Sequence, residues 1–570
     1  FRIEKGVKQT AELWREKDGN ADVFKDFCMK NFIAGQTELD TLFFRLSRNF
    51  EVINGSLLKI TKDLKRQLHL DMGEIQNIDL MFGSYNPYAH LSEDFFSNKI
   101  AFVVALNFPY YTLDQKTEKA DEWSRKEWAY ARMGGLYTAR PPAELLQKVS
   151  NESTASDTYI SEYNIYMGKL KDEEGHTYFP DDLKLITHWG LRDELKAQYQ
   201  EPDGLKRQKM IYEIMKKIIT QTIPKAVINN PEVDWHIADN TVSGATTDNS
   251  PEPNTRYETL HKIFKAEQQA DPYDFMNNTF IARKFNSQRR MTEARVKNLF
   301  EELLSSEEFK ETAKLVKSRL GRDLKAFDIW YNGFKTSEDY TSAKLSAITM
   351  KKYPTAEAFH AKMPELLGKL GFSNINAKFL QNNIAVDPSR GAGHAMGAGR
   401  REDKAHLRTR VGEDGMDYKG YNIAVHELGH NVEQTFSLHG VENTLIEGVP
   451  NTAFTEAFAF YFQERDLQLL GLGERDEETE HLLALQRMWG TCEIAAVSLV
   501  EMRLWHWMYD NADFTAEELK QATIQIAKDV WNEFFAEPFG VRDEIVLGIY
   551  SHMIEIGLYL PDYQIGRAHV

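Results

Sequence analysis

Cysteine is nearly absent: Cys28 and Cys492 are the only two in 570 residues, and neither belongs to a CxxC pair. A disulfide framework is therefore excluded as the source of stability. Long apolar runs are missing too, and no stretch approaches the roughly 20 consecutive apolar residues that a membrane-spanning helix needs. Positive charge is scarce. Lys and Arg total 69 against 86 Asp and Glu, a net charge of −17, with no long basic run to follow a phosphate backbone. Nucleic acid is not expected as a partner. Strand-like alternation is rare, and no internal repeat recurs at a fixed period.

Apolar material is plentiful, with 42% hydrophobic and 27% charged residues, enough for a large core in a soluble globular protein, expected here as a monomer. The chain starts at Phe1 and runs straight into helix-like sequence, so its natural start is expected to be missing, which leaves cytoplasm and periplasm equally open. The last six residues, IGRAHV, read like one frame of a sequencing adapter. The natural sequence is expected to depart near Tyr563, and no function is assigned to Arg567 or His569.

Helical periodicity recurs along most of the chain. In KMIYEIMKKIITQTI (209–223), Met210, Ile211, Ile214, Met215, Ile218 and Ile219 fall on one face at i, i+3, i+4 spacing. AFVVAL (101–106) and HLRTRV (406–411) are the best strand candidates. The expected fold class is mainly α with minor β. DNTVSGATTDNSPEPNTR (239–256) is the most loop-like segment, and NESTASDT (151–158) and RGAGHAMGAGRR (390–401) are further breaks. This divides the chain into a helical lobe at 1–240, a loop or insertion at 241–256, and a second helical lobe at 257–570.

The second lobe carries AVHELGHNVEQ (424–434). On a helix, His426 and His430 project from one face a turn apart, close enough for both imidazoles to hold one Zn²⁺ at roughly 2.0–2.1 Å. Glu427 lies about 100° around, placed to take a proton from a metal-bound water. With 16 histidines in the chain, such a motif arises by chance in on the order of one chain in thirty. Further sequence evidence comes from GVPNTAFTEAFAFYFQ (448–463), where Pro450 and Asn451 can start a new helix and Glu456 sits among Phe454, Phe458, Phe460 and Phe462. A carboxylate among so many aromatics is costly to bury ionised unless a cation compensates it. His426, His430 and Glu456 plus a water make up a catalytic rather than a structural zinc site, with one Zn²⁺ per chain expected. The bland alternative is a solvent-facing helix whose His and Glu residues pair with Lys or Arg, which leaves Glu456 unexplained.

HELGH, followed after 25 intervening residues by the Glu of VPNTAFTE, resembles the glutamate-ligand zinc peptidases, and specifically the thimet oligopeptidase (oligopeptidase A) family. DPSRGAGHAMGA (387–398) is similar to that family's glycine-rich segment lining the substrate channel, and YSHMIEIGLYLPDY (550–563) to its late His and Tyr-rich loop. The resemblance implies two helical lobes enclosing a deep channel that admits short peptides as substrates. It also implies Arg390, Gly391, Gly393, His394, Gly397 and Tyr559 as substrate contacts, and Tyr563 or His552 as the group that steadies the oxyanion. The chain departs from the family at Glu433, where a histidine is common, and in its longer spacing from His552 to the tyrosines. Glu433, one turn beyond His430, is expected to orient a ligand imidazole. Angiotensin-converting enzyme and related carboxypeptidases have a similar gap to the glutamate, so a zinc carboxypeptidase or dipeptidase is the alternative. A silent peptide-binding protein on the same scaffold is a third reading, disfavoured by the intact Glu427. His506, within the WHW at 505–507, is expected to be packed in the core.

Overall fold

The computed structural model describes residues 2–334, 341–391, 393–447, 452–472 and 476–568. Helices dominate, and the described strands form three small sheets of two or three strands. The fold is mainly α. Three helices and one sheet frame the HELGH segment and its surroundings: α1 (Gln36–Leu64), α2 (Trp189–Ala197), α3 (Tyr418–Gly440), and a sheet of β1 (Ile384–Pro388), β2 (His394–Met396) and β3 (Ala405–Thr409). β3 is central, parallel to β1 and antiparallel to β2.

Helix α3 starts where the Asp417 side chain accepts the Gly420 N–H, at 2.7 Å. Tyr421, Ala424, Val425, Leu428 and Val432 form its apolar stripe, and all are fully buried. They pack into a core with Leu407 of β3 and Phe462. Val425, Leu428 and Val432 each contribute about 1.5–3 kcal/mol relative to exposure, which holds the HELGH helix firmly against the core. Helix α4 (Thr452–Gln463) crosses α3 at Gly429, where an added Cβ would stand 2.6 Å from the Ala459 Cα. The glycine inside the motif thus serves close helix packing.

The largest core draws on residues from Ile160 to Ile565, including Trp235, Trp330, Trp505 and Trp531. Through it runs α5 (Glu477–Asp510), 34 residues and about 50 Å long. Helix α6 (Leu560–Ala568) packs against both α5 and α4.

Several sequence expectations need correction. AFVVAL is helical, within Ile100–Asn107, because its run of apolar residues is buried on every side rather than alternating. NESTASDT continues the helix Ala143–Ser161 without a break, since its small polar residues carry neither Gly nor Pro. His506 is not in the core: it pairs with Glu293 at 2.7 Å, while Trp505 is buried and Trp507 packs against the core. The 406–411 segment is a strand as expected through Thr409, and 209–223 is helical through Thr220. Pro450 and Asn451 lie outside the described residues. No helix of the described residues is long and apolar enough to cross a membrane.

Candidate metal centre

One turn of α3 separates His426 and His430, whose ring centroids stand 5.0 Å apart. Across from them, Glu456 on α4 brings its Oε2 to 3.7 Å from the Nε2 of both histidines. That is too long for a hydrogen bond, and Oε2 is buried without a donor. Two ligand atoms at about 2.0–2.1 Å from a tetrahedral zinc ion stand about 3.3–3.4 Å apart. An orphaned carboxylate oxygen equidistant from two imidazole nitrogens fits such an ion with slight contraction. All three ligand atoms lie within 4.8 Å of one another.

Outer contacts orient Glu456 and His426. Tyr559 donates its hydroxyl to Glu456 Oε1 at 2.6 Å, which leaves Oε2 as the coordinating atom. His426 Nδ1 lies 3.0 Å from Gln463 Oε1, so the proton sits on Nδ1 and the Nε2 lone pair faces Glu456. Gln463 in turn donates to Asn422 Oδ1 at 2.7 Å, and Asn422 and Tyr418 both donate to Asp466. Phe460 packs edge-on against the His426 ring at 5.1 Å.

Glu427 is 7% exposed. Burial, and then the nearby Glu456 carboxylate, push its carboxyl well above the usual range, opposed by one Ala395 N–H from β2. A divalent cation held by Glu456 and the imidazoles would supply the opposite charge that favours an ionised Glu427. The donor set and the electrostatics both fit a metal.

The loop before α6 is clamped by charge. Leu558 adopts φ +55°, a left-handed conformation that a leucine rarely takes. Its N–H donates to Glu501 Oε1 at 2.7 Å, and its carbonyl accepts from Arg289 at 2.6 Å. Arg289, fully buried, also grips Asp562 at 2.7 Å. These contacts aim Tyr559 at Glu456. Burial raises the Glu501 carboxyl to about 8, against the Leu558 N–H and the Arg289 charge. The unfolded chain therefore releases a proton near the ordinary glutamate value that the folded chain keeps until about pH 8, so this group's contribution is complete at low pH and is lost as pH rises through that window. Glu501→Gln is expected to match the wild type in stability near pH 5 and to exceed it near pH 8, by up to about 1.4 kcal/mol of unfolding free energy per pH unit of the window. Parallel thermal melts across pH, showing a constant difference, would count against it.

Other sequence-selected residues fall around this centre at varying removes. His552 bonds Glu555 at 2.6 Å and stacks edge-on with Tyr559 at 5.3 Å. Tyr563 packs on Phe460 at 5.2 Å, one ring away from His426. Glu433 accepts from Ser437 at 2.5 Å. Arg390 is tied to the carbonyls of Gln67 and Gly73. His394 joins His69 and Arg408, each at 3.2 Å. Gly393 and Gly397 sit tightly against Ile423 and Gln434 of α3, whereas Gly391 has open space. Their main service is to let the β2 segment lie close on the helix. Gln463, Asn422, Asp466, Ala395, Arg289 and Glu501 were not singled out by sequence. Gln463 stands two turns from Glu456, and Asn422 one turn before His426, so helical spacing carried a signal for those two alone.

Removing the Tyr559 hydroxyl tests the orienting role directly. Tyr559→Phe keeps the ring against His552 and is expected to weaken metal affinity or activity by about 10–100-fold. Chelator competition measures it, and wild-type affinity with wild-type activity would refute the role.

The class that fold and site define is a mainly helical protein in which two histidines of an HExxH segment and a distant glutamate form a candidate metal site. No family model matches the chain, and no curated protein matches it. Solved structures do show likeness. One is described as BsuCP, with TM-score 0.40 and 11% identity, covering 93% of this chain and 84% of that one. An M32 carboxypeptidase from Deinococcus radiodurans R1 has TM-score 0.41 and 12% identity, covering 92% and 84%. A protein from Chlamydophila abortus has TM-score 0.44 and 12% identity, covering 90% and 80%.

Proposed function

We propose that this chain is a zinc peptidase acting on short peptides, an oligopeptidase of the thimet type. The observation that carries the reading is the buried, donor-less Glu456 Oε2 lying 3.7 Å from both imidazole nitrogens, with Glu427 beside it. His426, His430 and Glu456 would hold the ion, which when bound lowers the pKa of its water to about 7 and polarises the scissile carbonyl. Glu427 takes the water's proton and returns it to the leaving amine. The Ala395 N–H on the edge strand β2 lies near Glu427 and favours its carboxylate form. Tyr559 keeps Glu456 turned toward the histidines. Tyr563 and His552 are the groups we propose for the oxyanion on the family resemblance; each packs one ring away from a proposed ligand or its partner.

The thimet-type assignment rests on the flanking segments 387–398 and 550–563. Carboxypeptidase action, the alternative reading, would draw on the same three residues. Internally quenched peptides blocked at both ends separate the two. Cleavage of blocked peptides, with about one zinc per chain, is the expected result. Cleavage of only those with a free C-terminus would replace the oligopeptidase reading with the carboxypeptidase one. Protein that binds no zinc and cleaves neither would reject the peptidase reading altogether.

A further inference from the structure

Away from the metal centre, a cavity of about 410 Å³ opens between α1 and the outer face of the β1–β3 sheet. Lys59, Lys62 and Arg66 project into it from one side at i, i+3, i+7 spacing, and Lys404 and Arg408 from the other. Four carboxylates also line it, but three are answered already. Arg400 grips Asp403 at 2.7 and 2.8 Å and Glu402 at 3.3 Å, while Asp387 is held by His406 at 2.7 Å and Arg408 at 3.5 Å. Asp63 is exposed. By contrast, none of Lys59, Lys62, Arg66 and Lys404 forms a salt bridge among the described residues.

Lys62 is the decisive side chain. It is 9% exposed, yet its ammonium, which carries three donors, has a single hydrogen bond, to the Lys404 carbonyl at 3.4 Å. Burial, and then Arg408, lower its pKa to about 8, against the opposing charges of Asp403, Asp387 and Asp63. A buried ammonium with donors to spare, at the base of a cavity ringed by exposed cations, sits in a chain whose net charge is −17. Background charge therefore repels anions, and this local excess is the opposite of the general trend.

We propose that this cavity is a binding site for a small phosphate-type dianion, either inorganic phosphate or a phosphate monoester. Several oxygens on one compact centre satisfy the ammonium and the rim cations at once, which a single carboxylate cannot. The bound anion bridges α1 to β3, the strand next to β2, whose Ala395 bonds Glu427. Occupancy thus braces the sheet behind the metal centre without touching it.

Calorimetry on the full chain tests this, with inorganic phosphate and glycerol phosphate titrated separately against sodium chloride at matched ionic strength. One saturable site per chain is expected. Affinity should fall about tenfold or more in Lys62→Met and stay unchanged in His430→Ala. Tighter binding of one probe identifies which source the site takes. If Lys62→Met does not fold, the exposed pair Lys59→Ala with Lys404→Ala carries the same expectation. No saturable binding of either probe overturns the proposal. So does binding that survives the lysine changes, or that disappears in His430→Ala, which would place the anion at the metal centre instead.

Discussion

Glu427→Gln is expected to lower kcat for peptide hydrolysis by about 10²–10⁴-fold, the range that general acid–base catalysis supplies, with metal content unchanged. Glutamine has almost the same shape and can still accept the Ala395 N–H through its amide oxygen, but it cannot take a proton. The substitution also removes a carboxyl whose burial beside Glu456 disfavours its charge, so the folded protein should be at least as stable as the wild type. Metal analysis, thermal melts and initial rates on one preparation decide it. Full activity would remove Glu427 from the mechanism, and loss of metal would mean that it is a ligand rather than the base.

A larger change is expected at a ligand. His430→Ala leaves Glu456 Oε2 buried beside a single imidazole, and metal content should fall well below one per chain. Loss of the ion removes several kcal/mol of transition-state stabilisation, which at about 1.4 kcal/mol per tenfold is on the order of 10³–10⁴-fold in rate or more. A stability signature accompanies it. A chelator should lower the thermal midpoint of the wild type, because the ion binds the folded chain in preference to the unfolded one, and should leave the variant's midpoint where it is. A variant that keeps full metal and full activity would show that the pair of histidines does not hold the ion together.

These two outcomes bear on different parts of what was legible in the sequence. Helix α3 was readable because its information is local: the Asp417 cap, the stripe from Tyr421 to Val432 and the four-residue histidine spacing all repeat within one helix. Glu456 was readable for a different reason, the cost of a carboxylate among four phenylalanines. AFVVAL misled because β-branched and aromatic residues in a short run look alike whether they are buried on all sides of a helix or in a strand. Periodicity cannot separate those two when every position is buried.

Sequence alone therefore determined that two imidazoles and the Glu427 carboxylate share a turn, since 3.6 residues per turn admits no other arrangement on a helix. Tertiary structure decided which distant groups complete the centre. Tyr559 reaches Glu456 across 103 residues and His426 meets Gln463 across 37, while Leu558 is held in a left-handed turn by Glu501 and Arg289. No local rule brings such residues together. They meet because α4, α5 and α6 bury their apolar faces against one another, and the polar groups carried into that core had to find partners there.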